Sequence, residues 1–339
     1  MPTPLGICLR NTLSIDSLVA LARRAEERGY HSIWITEGTG SKDVISQMAA
    51  VAVATQRILI GSGIIPIWMR TPIILGASFL GLDELSKGRA IMGLGSGHPN
   101  AMRDFHGIEI KRSVPHMRDY VAIAKLLFKE KRFSYEGETA RVTGYRRTVA
   151  SYSDDIPIYI AALGPRMLRL AGECADGVLM NCMTPEHAAE AVKTVHAGSR
   201  AAGRDPLRVT IAAYIMTCMD DDEGRAFETV RTMVAAYSRD AFYNAMLRRA
   251  GFSDVLDSIS AELEARDLKA AAARVPESMV DSMAVYGSEE RCRSRLPAFI
   301  DAGIDLPVIH SMPIPGIDPW DEHAQLIDAF APDRTGTAS

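Results

Sequence analysis

Residues able to do chemistry recur just beyond short apolar runs of this 339-residue sequence. Glu37 follows the run 31–36 (HSIWIT), where a charge is costly to seat unless a partner or ligand meets it. His98 follows 90–95 (AIMGLG), just past Gly95 and Gly97, and could give a hydrogen bond or a proton to a bound molecule. The third glycine of a dinucleotide fingerprint is missing there, so the glycines read as backbone passing close to a flat ligand. In 161–172 (AALGPRMLRLAG) a strand ends, the chain turns through Ala162, Leu163 and Gly164, and Pro165 opens a helix. Free N–H groups at that helix start, with Arg166 beside them, suit a phosphate. An ordinary Gly-Pro turn, or the substrate site of a phosphate-handling barrel enzyme without redox chemistry, would use the same residues. In 61–67 (GSGIIPI) small residues run into β-branched ones at Gly63 and Ile64, a place where a bulky side chain can press against a ring. Asn181 closes the run 177–181 (GVLMN).

Other chemistries are disfavoured. No H-x-H follows the first apolar run, and neither G-x-S-x-G nor G-x-x-x-x-G-K-[ST] occurs, so metal-dependent amidohydrolase, serine-hydrolase and P-loop readings fall away. The net charge of −4 and the scattered basic residues predict no nucleic-acid partner. Cys8, Cys174, Cys182, Cys218 and Cys292 are far apart without C-x-x-C spacing, which predicts neither disulfides nor a zinc knuckle and suits a reducing cytoplasm. The opening MPTPLGICLRN lacks the pattern of a signal peptide, and no apolar run reaches the ~18 residues of a membrane span, so no membrane partner is expected.

What positions these residues is an alternation of strands and helices. Strands are expected at 5–9, 31–36, 58–63, 90–95, 157–161, 177–181, 209–218 and 306–310, because buried parallel strands are brief runs without polar alternation. Helical spacing fills the intervals, with Ser14 placed as an N-cap and Gly29, Gly88 and Gly303 as stops. Eight such strands predict an α/β fold, a single (β/α)8 TIM barrel spanning 1–339. An open doubly wound sheet competes, but it wants a glycine-rich turn after its first strand, where Arg10, Asn11 and Thr12 stand. Between strands seven and eight, 220–286 reads as a helical insertion (223–236, 241–249, 255–273) without a strand. It would serve as substrate lid, dimer arm or outer packing.

On these residues the chain resembles the bacterial luciferase-like group of flavin- and coenzyme F420-dependent oxidoreductases, nearest its methylenetetrahydromethanopterin reductase-like branch. The similarity is carried by SIWITE (32–37), IGSGIIPIWMRTP (60–72), IMGLGSG (91–97) and IYIAALGPRMLRLAGECADGVLMN (158–181). The resemblance implies a deazaflavin ring near the barrel axis at the C-terminal face, with an acidic group, Glu37, beside it. It places a non-prolyl cis peptide at Gly63–Ile64 with Ile64 backing the ring, and Gly95, Gly97 and His98 along it. Ala162, Leu163, Gly164 and Arg166, with Asn181 opposite, fall in the phosphate-binding region. Glu37 and His98 are the catalytic candidates, although His98 stands where several relatives carry a glutamate. The implied reaction is hydride transfer between C5 of coenzyme F420 and a small organic substrate, in a homodimer without a metal. An FMN-dependent monooxygenase and a non-catalytic cofactor-binding relative are the alternatives. Trp68, Met69, Met180 and Met183 would suit a hydrophobic substrate or plain packing.

Overall fold

The computed structural model describes residues 3–38 and 40–332. In chain order the elements are β1 (Gly6–Leu9), α1 (Ile15–Glu27), β2 (Ser32–Ile35), α2 (Val44–Ala54), β3 (Leu59–Ser62), β4 (Ile65–Pro66) and α3 (Pro72–Ser86). Next come β5 (Ala90–Gly95), α4 (Pro99–His106), α5 (Ser113–Lys129), β6 (Arg132–Glu136), β7 (Arg141–Arg146), β8 (Ile158–Ala161), α6 (Pro165–Cys174), β9 (Gly177–Asn181) and α7 (Pro185–Ala201). The remainder is β10 (Thr210–Met219), α8 (Glu223–Tyr237), α9 (Ala241–Leu247), α10 (Ser253–Glu264), α11 (Leu268–Arg274), α12 (Glu277–Met283), β11 (Ala284–Gly287), α13 (Glu289–Asp301), β12 (Leu306–Ser311) and α14 (Pro319–Ala329).

The eight expected strands close on themselves in the order β1-β2-β3-β5-β8-β9-β10-β12, with β12 pairing back to β1 and every pair parallel. Two apolar layers follow from the side-chain period of two. One side of each strand fills the barrel: Cys8, Trp34, Ile91, Tyr159, Leu179, Tyr214, Leu306 and Val308 form one buried cluster. The other side meets the helices through residues such as Ile7, Leu9, Ile33, Ile35, Ile60 and Met92. The helices start where short polar side chains can cap them: Ser14, Asp43, Thr71 and Thr184 each accept a backbone N–H from the first turn. No described helix is long and apolar enough to cross a membrane.

Three departures from the sequence reading matter. The insertion after the seventh barrel strand is not purely helical: β11 pairs with the far end of β10, from Met216 opposite Ala284 to Met219 opposite Gly287. The single helix expected at 255–273 is two, because Arg266 adopts a left-handed φ of 62°. An antiparallel hairpin, β6–β7, leaves the barrel between α5 and β8. Asp119 of α5 fastens it, accepting from the Tyr135 hydroxyl, the Thr139 N–H and hydroxyl, and the Ala140 N–H.

Candidate active site

The C-terminal ends of the barrel strands, and the loops and helix starts that follow them, carry every candidate residue, as a barrel's working face requires. At the end of β3 the Gly63–Ile64 peptide is cis. The Gly63 carbonyl accepts a 3.0 Å hydrogen bond from the Tyr214 hydroxyl, which reaches it from β10 across the barrel. A Cβ on Gly63 would lie 1.7 Å from that hydroxyl oxygen, so only glycine fits. Across from it, a Cβ on Gly95 would sit 2.3 Å from Ile64 Cδ1 and 3.3 Å from Ala161 Cβ. Gly63, Ile64, Gly95 and Ala161 thus form one shelf of small residues with a single β-branched side chain on it. Cys8 lies against Tyr214 beneath, and burial pushes its thiol up to about 12. Burial likewise raises the Tyr214 phenol, so both stay neutral at pH 7.

Glu37 has the partner its position demands. Arg70, at the end of the loop after β4, grips both carboxylate oxygens at 2.6 Å, and Glu37 is only 5% exposed in the pair. Asp43 shares the same guanidinium. The hydrogen bonding of its guanidinium to Glu37 is the main reason the Arg70 pKa is raised. Tyr120 fixes the Arg70 carbonyl at 2.8 Å. Trp68 donates to the Ser96 carbonyl at 3.0 Å and stacks on His116 at 4.3 Å and 6°. That contact ties the β4–α3 loop to the one after β5.

The remaining candidates divide. Ala162 is buried, and Leu163 and Gly164 are half-buried at the start of α6, where no side chain caps the helix. A Cβ at Gly164 would meet nothing within 4 Å. Arg166 is exposed beside this start. Asn181 donates through Nδ2 to the Tyr243 hydroxyl at 2.6 Å, so α9 of the insertion closes on the barrel face and holds the end of β9. Gly97, with φ of 68°, packs near Pro66 and Met102. His98 is exposed on the rim at the first turn of α4, so the structure does not bring it beside Glu37.

Three residues escaped the sequence reading of the site: Arg70, Tyr214 and Tyr243. For Arg70 a signal existed, since a buried acid after a strand demands a base. Tyr214 and Tyr243 sit within apolar patterns that read as core. His310 was legible as the tip of the eighth expected strand, one of the places where a barrel's working groups sit. At the opposite end of the barrel a cavity of about 510 Å3 opens between Pro4, Leu59, Tyr159, Leu207 and Leu306, remote from these groups.

The family profile described as "Luciferase-like monooxygenase" matches residues 3–306. A 5,10-methylenetetrahydromethanopterin reductase of Methanolobus tindarius is 32% identical over 285 residues, 84% of this chain and 86% of that protein. An F420-dependent glucose-6-phosphate dehydrogenase of Kineococcus radiotolerans is 27% identical over 234 residues, 63% of this chain and 67% of that one. Among solved structures, the coenzyme F420 dependent tetrahydromethanopterin reductase from Methanopyrus kandleri superposes with a TM-score of 0.85 at 26% identity, covering 98% of both chains.

Proposed function

The chain belongs to the luciferase-like monooxygenase family, and from that premise we propose that it is a coenzyme F420-dependent oxidoreductase moving a hydride between the deazaflavin and a small organic substrate. One observation carries the reading. Ile64 packs over Gly95 and beside Ala161 at the barrel mouth, next to Gly63, so one β-branched side chain stands among residues too small to cover it, a shelf on which a flat ring could lie.

The residues present fit such a cofactor. Gly63, Ile64, Gly95 and Gly97 would flank the ring. The uncapped start of α6 with Ala162, Leu163, Gly164 and Arg166 would hold the phosphate, with Asn181 opposite. When bound, the deazaflavin supplies a carbon-centred hydride whose reduced form reacts poorly with oxygen. The chain's own tasks are to orient the reactants and handle one proton. Glu37, with both oxygens committed to Arg70, orders the wall beside the ring rather than carrying that proton. His98, exposed at the rim, is the remaining candidate for that role.

A homodimer is part of the same proposal, with α2 and α3 as its interface. α2 carries no charged side chain, yet Val53 is 63% exposed, and Ile74 and Leu85 of α3 are 59% and 47% exposed. Large apolar side chains exposed on neighbouring helices suit a partner, and a second copy offers the same apolar positions.

Titrating the protein with F420 and with FMN, followed by fluorescence, tests the reading. Saturable F420 binding with weak FMN binding is the expected result. Tight FMN binding with none for F420 would replace it by an FMN-dependent monooxygenase. F420 binding without turnover of any acceptor would favour a non-catalytic relative.

A further inference from the structure

His310 ends the inward series of β12. Leu306 and Val308 belong to the barrel's inner cluster, and the strand period of two makes His310 the next residue facing the interior, at the mouth. Its ring packs 4.8 Å from that of Tyr214 at 45°, so it lies on the phenol that holds the Gly63 carbonyl. Neither ring nitrogen has a hydrogen-bond partner among the described residues, and Nδ1 is sealed from solvent while part of the ring stays open.

The groups packed around it offer no relief. Arg10, at the end of β1, is occupied by Glu322 of α14 and Ser311 of β12. His323 of α14 gives Nδ1 to the Pro319 carbonyl at 2.6 Å. Cys8, which pairs with His310 in the strand register, lies against Tyr214. Burial first, then the charge of Arg10, lowers the His310 pKa to about 4, so the imidazole is neutral at pH 7. A neutral imidazole carries one N–H donor and one lone pair. Leaving the sealed Nδ1 unused loses free energy that leucine or phenylalanine would not lose, and Nε2, which is not sealed, is the ring nitrogen a ligand can reach. Such a frustrated group, lying on the support of the ring shelf, points to a ligand that uses it.

We infer that His310 is a cofactor-contacting residue: its Nε2–H donates a hydrogen bond to an oxygen or nitrogen of the heterocycle lying on the Ile64 shelf, and Tyr214 sets the height of both. The inference rests on the deazaflavin reading of the site, but not on the identity of the substrate.

The experiment compares the wild type with His310→Leu and His310→Gln, measuring Tm without ligand, F420 affinity by fluorescence, and the visible absorption band of the bound cofactor. His310→Leu melts at or above the wild-type temperature, because an unsatisfied buried nitrogen is gone. It nonetheless binds F420 about tenfold more weakly, the size of one neutral hydrogen bond, with a shifted band. His310→Gln keeps a donor and recovers to within about threefold of wild type. Unchanged affinity and spectrum in His310→Leu would overturn the inference alone, as would a weaker affinity that only tracks a lowered Tm. A wild-type protein that binds no F420 would overturn the functional reading and this inference with it.

Discussion

Tyr214 of β10 and Gly63 at the end of β3 are joined across the barrel by a 3.0 Å hydrogen bond from phenol to carbonyl. The two strands are separated in the sheet by β12, β1 and β2, so the bond spans the mouth rather than linking neighbours. It fixes a loop tip that backbone pairing alone would leave free. The absent side chain of Gly63 is what lets the phenol arrive.

Removing the two ends of this bond should have different effects. Tyr214→Phe leaves the ring packing and deletes one buried hydrogen bond, which costs about 1 kcal/mol, and the Gly63 carbonyl loses its donor. F420 affinity should fall severalfold in a folded protein. Gly63→Ala puts a methyl 1.7 Å from the phenol oxygen and should destabilise the fold by about 3 kcal/mol or more. Urea denaturation of both variants decides it. If Gly63→Ala is as stable as wild type, the contact is not the constraint described.

Gly95→Ala separates folding from binding. Its methyl meets the flexible Cδ1 of Ile64 at 2.3 Å, so the side chain can swing away without moving backbone. The displaced side chain would then alter the shelf proposed for the ring. A protein of near-wild-type stability that binds F420 at least about tenfold more weakly is expected, since a filled ring site loses its contacts. Unimpaired binding would show that the ring does not lie on this shelf.

Glu37→Gln tests whether the acid is a proton carrier. Its two bonds to Arg70 leave the carboxylate no oxygen to spare, and removing one partner of a largely buried pair leaves the other charge poorly compensated. Stability should drop by about 2 kcal/mol, because Asp43 still holds part of the guanidinium. The pH profile of kcat should keep its shape. A lost ionisation with unchanged stability would instead make Glu37 the acid.

The barrel was legible in the sequence because its strands are buried on both faces. HSIWIT and LPVIH are brief, mainly apolar runs without polar alternation, and short caps such as Ser14 mark the helix starts between them. β11 (AVYG) is too short to stand out beside the helices of the insertion, and the exposed hairpin strands RFSYE and RVTGYR present polar sequence. The break at Arg266 carries neither glycine nor proline to announce it. At the site, the glycines and Ile64 were readable from local pattern. Arg70 is 33 residues from Glu37 and Tyr214 is 151 from Gly63, and only barrel closure brings such pairs together.

The exposed apolar side chains of α2 and α3 make oligomeric state a sharp test. Val53→Glu with Leu85→Glu places acids on exposed positions, so the monomer should keep its melting behaviour. Light scattering after gel filtration should find a dimer for wild type and a monomer for the double variant. A dimer that survives both charges lies on another face.

The pH dependence of stability should bear the mark of the cluster under α14. His323 is fully buried, its Nε2 has no partner among the described residues, and burial lowers its pKa to about 4 from an ordinary 6.5. The unfolded chain therefore binds a proton between pH 6.5 and 4 that the folded chain refuses, and stability is lost as pH falls through that window, by about 1.4 kcal/mol per unit for one group. His310 acts in the same sense. Glu322 opposes them: burial raises it to about 7, so its contribution is full below about 4.5 and declines as pH rises through 7. Two histidines against one acid give these three groups a rising contribution from pH 4.5 to 6.5 and a falling one just above. His323→Asn can keep a donor for the Pro319 carbonyl while removing one titration, so its stability should depend less on pH than the wild type's between 4.5 and 6.5. Urea denaturation at pH 4.5, 5.5, 6.5 and 7.5 measures the difference between the two slopes. Equal slopes would mean that His323 takes up its proton in the folded state as readily as in water, and that the pocket beneath α14 is not closed.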